Sequence, residues 1–529
     1  MAYRHHRRRA KQRRIESLIQ TPAPPTTRIY GRARAAMEHQ FHGKLVVPGD
    51  ADYETDRHAY NPAFEAHPQI IAYCETPGDV YLCLKWAHER GWQAVCRSGG
   101  HSTAGYCIND GMVIDLSRMS YVHVDPARRL ASVGPGTTFG MLNAVLDHYD
   151  LHVPGGGCED VAIAGYMQGG GWGFTSREFG MNCDNVESVR VMLSNGGVVE
   201  ANQQRNPDLF WAIRGGTGNN FGIVLEVTYR LHPIDSVWGF GIKWTMDDAP
   251  AALAKMQSGY MIAGASNKLG YLTFFAPRGV PSSGNGTLLL LMRGLYHGPR
   301  DEGRRQLEPL LRTRGAELEF AATKSYRTMN YLLIDGKPPE SPGPGPIYEV
   351  PDPWKEDKQS GFIERQLDEG DWHEIVDYFR KGPGPYNIAV IEPCGGAINA
   401  SVDNAFIHRK AMTDFFVDVF WDDDAEKWDQ VKWLNDYMEL MKPYFNGHSY
   451  QNYPRRGLDD FRWMYWGDAY DTLLWVKQKY DPDNFFRFEQ SISPYPAGTR
   501  PAHHPQARLR FTDRDIAYES YSRQLKKPK

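Results

Sequence analysis

Glycine is concentrated in runs in this chain, and that limits the possible folds more than any other feature. Residues 96–106 read CRSGGHSTAGY, with Gly99 and Gly100 beside His101. Residues 154–186 read PGGGCEDVAIAGYMQGGGWGFTSREFGMNCDNV, with clusters at Gly155 to Gly157 and Gly169 to Gly171. Residues 211–224 read WAIRGGTGNNFGIV. Unbranched positions accumulate where backbone turns at positive φ or passes close to a bound group. Exposed N–H groups in such turns make concave anion sites, phosphate sites above all. Together the runs point to backbone wrapped around a large flat ligand that carries phosphates. The alternative is a loop-rich β domain that needs many turns. Neither standard nucleotide cradle is present: GxGxxG is missing from all of these runs, and GxxxxGK[ST] occurs nowhere.

Length and composition narrow the class. At 529 residues the chain exceeds one small core, so two domains are expected. Apolar content of 41% and charged content of 23% are those of a globular protein. A net charge of −4 predicts no special partner. No run of about 18 apolar residues occurs, so no membrane span is expected. The basic start, MAYRHHRRRAKQRR, reads as a solvated extension rather than a nucleic-acid arm. No apolar segment follows it as a signal peptide requires, so a cytoplasmic location is expected. The seven cysteines include no CxxC pair, which argues against zinc and thioredoxin-type chemistry.

Periodicity predicts an α+β protein. VYLCLKWAHERG has helical spacing and stops at a glycine. QAVCRSG and GMVIDLS read as strands, and VESVRVMLSNGGVVEA as a hairpin turning at Asn195-Gly196. NKLGYLTFFA, TLLLLMRGLY, YNIAVIEPCGG and AMTDFFVDVFW read as strands of an antiparallel sheet, with DEGRRQLEPLLRTRG a helix among them. The prolines of residues 336–353 predict a loop. The expected organisation is an extension over 1–42, a first domain over 43–235 and a second over 236–445. A segment over 446–495 then returns to the first domain, and a tail covers 496–529.

RSGGHS, GGGCEDVAIAGYMQGGGWG, RGGTGNNFGIV and YDPDNFFRFEQSI occur in that order. In this order and spacing they resemble the vanillyl-alcohol-oxidase flavoproteins, and most closely the berberine-bridge-enzyme-like branch. The resemblance spans about residues 43–495. It implies a split FAD-binding domain joined to an antiparallel-sheet substrate domain, with FAD held by two covalent bonds. His101 matches the histidine bonded to the flavin 8α-methyl, and Cys158 the cysteine bonded to C6. Arg97, Ser98, Gly99, Gly100 and Ser102 match the pyrophosphate turn. Val161, Gly165, Gly169, Gly170, Gly171, Trp172, Gly222, Val224, Asn452 and Asn484 fall in the other cofactor-binding stretches. Two positions depart from the pattern. Tyr166 stands where a histidine near flavin N1 is usual, offering a hydroxyl in place of a cation. Glu159 stands where a proline is usual.

On the substrate side the resemblance implies Tyr453 as base, Glu392 as its hydrogen-bond acceptor, and Tyr450 as a neighbour. Strand alternation would put Tyr450 and Tyr453 on opposite faces unless a bulge intervenes. The expected activity passes a hydride from an alcohol, sugar or natural-product carbon to flavin, then to dioxygen, giving hydrogen peroxide. Val161 lies where the family places the side chain that admits or blocks dioxygen. Alternatives are a dehydrogenase with another acceptor and a non-catalytic flavin-binding protein. The expected partners are a small-molecule substrate and dioxygen, with no nucleic acid and no membrane, and the expected state is a monomer or dimer.

Overall fold

The computed structural model describes residues 35, 38–261, 264–278, 287–335 and 354–494. Most of the basic extension, the proline-rich loop and the tail expected from 496 lie outside the described residues. The first sheet comprises β1 (Lys44–Val46), β2 (Ile70–Tyr73), β3 (Ala94–Arg97) and β4 (Met112–Asp115), in the order β1-β2-β4-β3. Strands β2 and β3 run parallel to β4, and the helix Pro77–Arg90 makes the crossover between β2 and β3. That helix starts where the sequence signals it. The Thr76 hydroxyl accepts from the Asp79 N–H, and the Asp79 carboxylate accepts in turn from the Thr76 N–H. It ends at Gly91, which adopts φ +65°.

The next strands are β5 (Val122–Asp125), β6 (Leu130–Val133), β7 (Leu151–His152), β8 (Val186–Met192), β9 (Val198–Ala201), β10 (Ile223–Arg230) and β11 (His232–Pro233). Five of them form an antiparallel sheet, β5-β6-β10-β8-β9, and β7 pairs with β11. The expected hairpin is β8 and β9.

The third sheet comprises β12 (Ser236–Thr245), β13 (Leu269–Arg278), β14 (Thr287–Tyr296), β15 (Glu317–Ser325), β16 (Lys355–Ile363), β17 (Ile388–Pro393) and β18 (Thr413–Trp421). Its order is β15-β12-β14-β13-β17-β18-β16, with every pairing antiparallel. Both faces are covered. Ala389, Ile391, Phe415, Val417 and Val419 enter a core shared with the helices Ala249–Met256, Glu369–Phe379 and Asp424–Met441. Ile388, Val390, Phe416 and Phe420 point the other way, into the core of the preceding sheets. Burial on both sides explains why β17 and β18 are apolar almost throughout. The exceptions on the second face are Glu392, Asp414 and Asp418, all buried. Carboxyls placed on an otherwise apolar face mark a site.

The chain then returns to the first sheet. Phe485 and Phe486 pack with β2, β4 and the helix Pro77–Arg90. Lys477 Nζ donates to the carbonyls of Asn220 and Phe486, both at 2.6 Å, and pairs with Asp481 at 2.7 Å. Among the described residues, no helix is long and apolar enough to cross a membrane.

Candidate active site

A cavity of about 700 Å³ lies between the glycine-rich turns and the second face of the seven-stranded sheet. One wall is backbone. After β3 the chain turns through Ser98 and Gly99 into Gly100, which adopts φ +77°. A Cβ on Gly99 would come within 2.8 Å of the Ala162 nitrogen, so a side chain there would push apart the two segments that meet. The N–H groups of Gly99, Gly100, His101 and Ser102 have no acceptor among the described residues. Gly156, Gly157, Gly165, Gly222 and Val224 extend this wall, and a Cβ on Gly165 would enter open space. Free N–H groups in a glycine turn beside a long cavity fit a dinucleotide with a pyrophosphate, such as FAD.

His101 and Cys158 both line the cavity. The His101 ring stacks on Tyr60 at 4.8 Å, and its Nε2 lies 3.0 Å from Asp160 Oδ2. The imidazole beside Asp160 holds that carboxyl below its usual range. Cys158 lines the cavity as an exposed residue. Desolvation by the surrounding protein, reinforced by Asp160 and Asp335, nevertheless pushes the thiol up to about 12. Val161 and Trp172 also line the cavity, and Trp172 Nε1 donates to the Pro393 carbonyl, tying the glycine segment to β17.

The opposite wall carries the chemistry. Tyr453 Oη donates to Glu392 Oε1 at 2.8 Å. The Tyr453 ring lies 4.5 Å from Phe416, and Lys358 Nζ is 4.8 Å from its centroid. Lys358 pairs with Asp418 at 3.1 Å. Burial raises the Glu392 carboxyl to about 7, although Tyr453 donates to it and Lys358 is near. Burial also raises the Tyr453 phenol well above its ordinary value, and the Glu392 charge adds to that.

Several expected positions are placed differently. Residues 449–454 form a turn instead of a strand, closed by the Tyr453 N–H bonding the Tyr450 carbonyl at 2.9 Å. The turn cancels the alternation, so Tyr450 and Tyr453 share one wall with rings 5.0 Å apart. The Tyr450 oxygen accepts from the Gly171 N–H at 2.7 Å and from Asn452 Nδ2 at 3.0 Å, which fixes it as a brace. Asn452 lines the cavity and also donates to the Tyr166 carbonyl. Gly169, Gly170 and Gly171 do not line the cavity. A Cβ on Gly169 would meet Asn452 Oδ1 at 1.9 Å, and one on Gly170 would meet the Phe406 ring. Those glycines admit the protein's own side chains. Tyr166 does face the cavity, but its hydroxyl donates to the Trp172 carbonyl and is not a free donor. Arg97 is turned away, paired with Asp115 at 2.5 Å and bonded to the Asp56 and His58 carbonyls. Asn484, at φ +50°, closes the turn before Phe485 through its N–H to the Asp481 carbonyl and lies outside the cavity.

Sequence reasoning missed Tyr60, Asp160, Lys358, Asp414 and Asp418. The last three were accessible through alternation. KEDKQSGFI and TDFFVDVFW put Lys358, Asp414 and Asp418 on the face that Phe416 shares. Nothing local marks Tyr60.

A family profile described as "FAD binding domain" matches residues 68–202, and one described as "Berberine and berberine like" matches residues 449–493. An uncharacterised FAD-linked oxidoreductase of Bacillus subtilis, YgaK, is 29% identical over 85% of this chain and 97% of its own length. A carbohydrate oxidase of Microdochium nivale is 26% identical over 85% of this chain and 92% of its own. The solved structure of Physcomitrella patens BBE-like 1 superposes with a TM-score of 0.78 at 25% identity, over 88% of this chain and 99% of that one. Glycine turns with free N–H groups, a Tyr–Glu pair across from them and these likenesses agree: they support the berberine-bridge-enzyme-like branch of the vanillyl-alcohol-oxidase flavoproteins for this chain, which is an FAD-dependent oxidoreductase.

Proposed function

We propose that this enzyme is an oxidase in which Tyr453 removes the proton from a substrate hydroxyl. The supporting observation is the 2.8 Å hydrogen bond from Tyr453 to Glu392, on the wall facing the glycine turns. Glu392 takes the phenolic proton as Tyr453 takes the substrate's. Burial makes Glu392 a better proton acceptor than an exposed carboxylate, since its acid form persists to about pH 7. Tyr450 and Asn452 hold the turn that aims Tyr453.

FAD, when bound, supplies the hydride acceptor and passes the electrons to dioxygen. Ser98, Gly99, Gly100 and Ser102 hold its pyrophosphate through backbone N–H groups. His101 and Cys158 are proposed as its two covalent anchors, supported by their shared place on the cavity wall. Val161 on the same wall supports dioxygen as acceptor, because a valine leaves more room than a leucine. The substrate is an alcohol, a sugar or a natural-product scaffold with an oxidisable carbon. The carbohydrate and xylooligosaccharide oxidases among the relatives support that range.

Anaerobic stopped-flow reduction tests the reading. Tyr453→Phe is expected to slow reduction by about 10²- to 10⁴-fold with FAD content unchanged. Wild type is expected to release hydrogen peroxide as oxygen is consumed. An unslowed variant removes Tyr453 as the base.

A further inference from the structure

Strands β17 and β18 pair with Glu392 directly opposite Asp414. Residues so opposed leave one face of the sheet with Cβ atoms about 5 Å apart. Asp414 is 2% exposed and Glu392 5%. Glu392 Oε1 is engaged by Tyr453, but Glu392 Oε2 and both carboxyl oxygens of Asp414 are buried with no partner in full hydrogen-bond geometry; the Ser360 hydroxyl, near Asp414, is in contact with Ser449 and the Tyr450 N–H. As two carboxylates these neighbours would offer each other only acceptors and repulsion. If one carries a proton it becomes a donor, and an orphaned oxygen on each side is satisfied.

We propose that Asp414 is a positioning residue that keeps its proton and donates it to Glu392 Oε2, holding Glu392 as the carboxylate that serves Tyr453. The inference rests on the reading of Tyr453 and Glu392 given above. In the working step the Tyr453 O–H bond breaks and an O–H bond forms at Glu392 Oε1. The pair passes from one proton to two, and no electrons move among the three groups. A carboxylic acid kept neutral in an apolar site so that it can donate is a known solution in enzymes.

The surrounding groups assign the proton to Asp414. Burial, then the facing Glu392, raise the Asp414 carboxyl well above its ordinary value. From β16, Lys358 and the Ser360 hydroxyl pull the other way without overcoming burial. Glu392, by contrast, accepts from Tyr453 at 2.8 Å and has Lys358 near, both of which favour its charged form, while Asp418 opposes. Tyr450 stays a phenol, pushed up by burial and by Glu392. Cys394, just beyond β17, stays a thiol, pushed up by burial and by Asp414, with Arg177 opposing.

Infrared difference spectra of the holoenzyme test the proton directly, without substrate. A protonated-carboxyl C=O band is expected to survive in wild type at about pH 9 and to be missing from Asp414→Asn. The pH profile of flavin reduction tests the donation. Asp414→Leu, which removes the donor, is expected to move the acid limb upward by about one unit. Asp414→Asn, whose amide still donates, is expected to leave that limb near wild type. No band difference between wild type and Asp414→Asn overturns the proposal, as does an unmoved limb in a folded Asp414→Leu. If the leucine variant fails to fold, the band decides alone. A band that is present while Tyr453→Phe reduces flavin normally would keep the shared proton and remove the base reading.

Discussion

At the scale of single residues, the site pairs groups whose ordinary states are displaced by the protein around them. Cys158 is one case. Its thiol is pushed up to about 12, so the proposed bond from Cys158 to the flavin requires the thiol proton to be taken by a neighbour. The other proposed anchor, His101, has its Nε2 3.0 Å from Asp160. The two anchors are expected to act independently. His101→Ala and Cys158→Ala should each keep FAD in the acid-precipitated pellet, and only the double variant should release it. Yellow supernatant from either single variant would show that one bond depends on the other. The surrounding protein also separates Tyr450 from Tyr453. Both phenols are raised, but the Tyr450 oxygen accepts two hydrogen bonds, whereas Tyr453 donates to a carboxylate.

At the scale of elements, β16, β17 and β18 place the polar groups by alternation. Lys358 opposes Asp418 across β16 and β18, and Glu392 opposes Asp414 across β17 and β18. Between these rows, Phe416 opposes Ser360 and Val390, leaving an apolar belt. Glu356, two residues before Lys358 on the same face, is buried with one carboxyl oxygen unpaired. Burial raises it from 4.5 to about 7, with Lys358 opposing and Asp418 adding. The folded state therefore holds this proton more tightly than the unfolded chain. The stability Glu356 contributes is complete below about pH 4.5 and is lost as pH rises through 7. Glu356→Gln, which stays neutral, is expected to raise Tm at about pH 8 by roughly 2 °C and to leave it unchanged near pH 4. Differential scanning calorimetry at the two pH values checks this. An equal shift at both would assign the effect to packing.

At the scale of the whole molecule, three stretches of chain meet at one cavity, and the return of residues 449–494 closes it. Lys477 holds that return through two carbonyls and Asp481 with no exposed surface on its side chain. Lys477→Met leaves the buried Asp481 without its counter-charge, held only by the Phe485 and Phe486 N–H groups. It is expected to cost about 3–5 kcal/mol in urea unfolding and to weaken FAD retention; unchanged stability would show that the return is held by Phe485 and Phe486 alone. Much of this architecture is legible locally. The strands announce themselves by runs and alternation, the helix Pro77–Arg90 by its cap and Gly91, and the flavoprotein character by the order of its glycine motifs. Those signals depend on neighbours a few residues apart, which is the range over which periodicity and turn chemistry act. What lies farther apart is settled only by packing. Asn452 reaches Tyr166 across 286 residues, and Tyr453 reaches Glu392 across 61. The turn that puts Tyr453 beside Tyr450, the glycines that make room for Asn452 instead of cofactor, and the facing of Asp414 with Glu392 all follow from how the sheets close on one another. No local pattern carries that information, because a side chain's partner is chosen by the elements that converge on it.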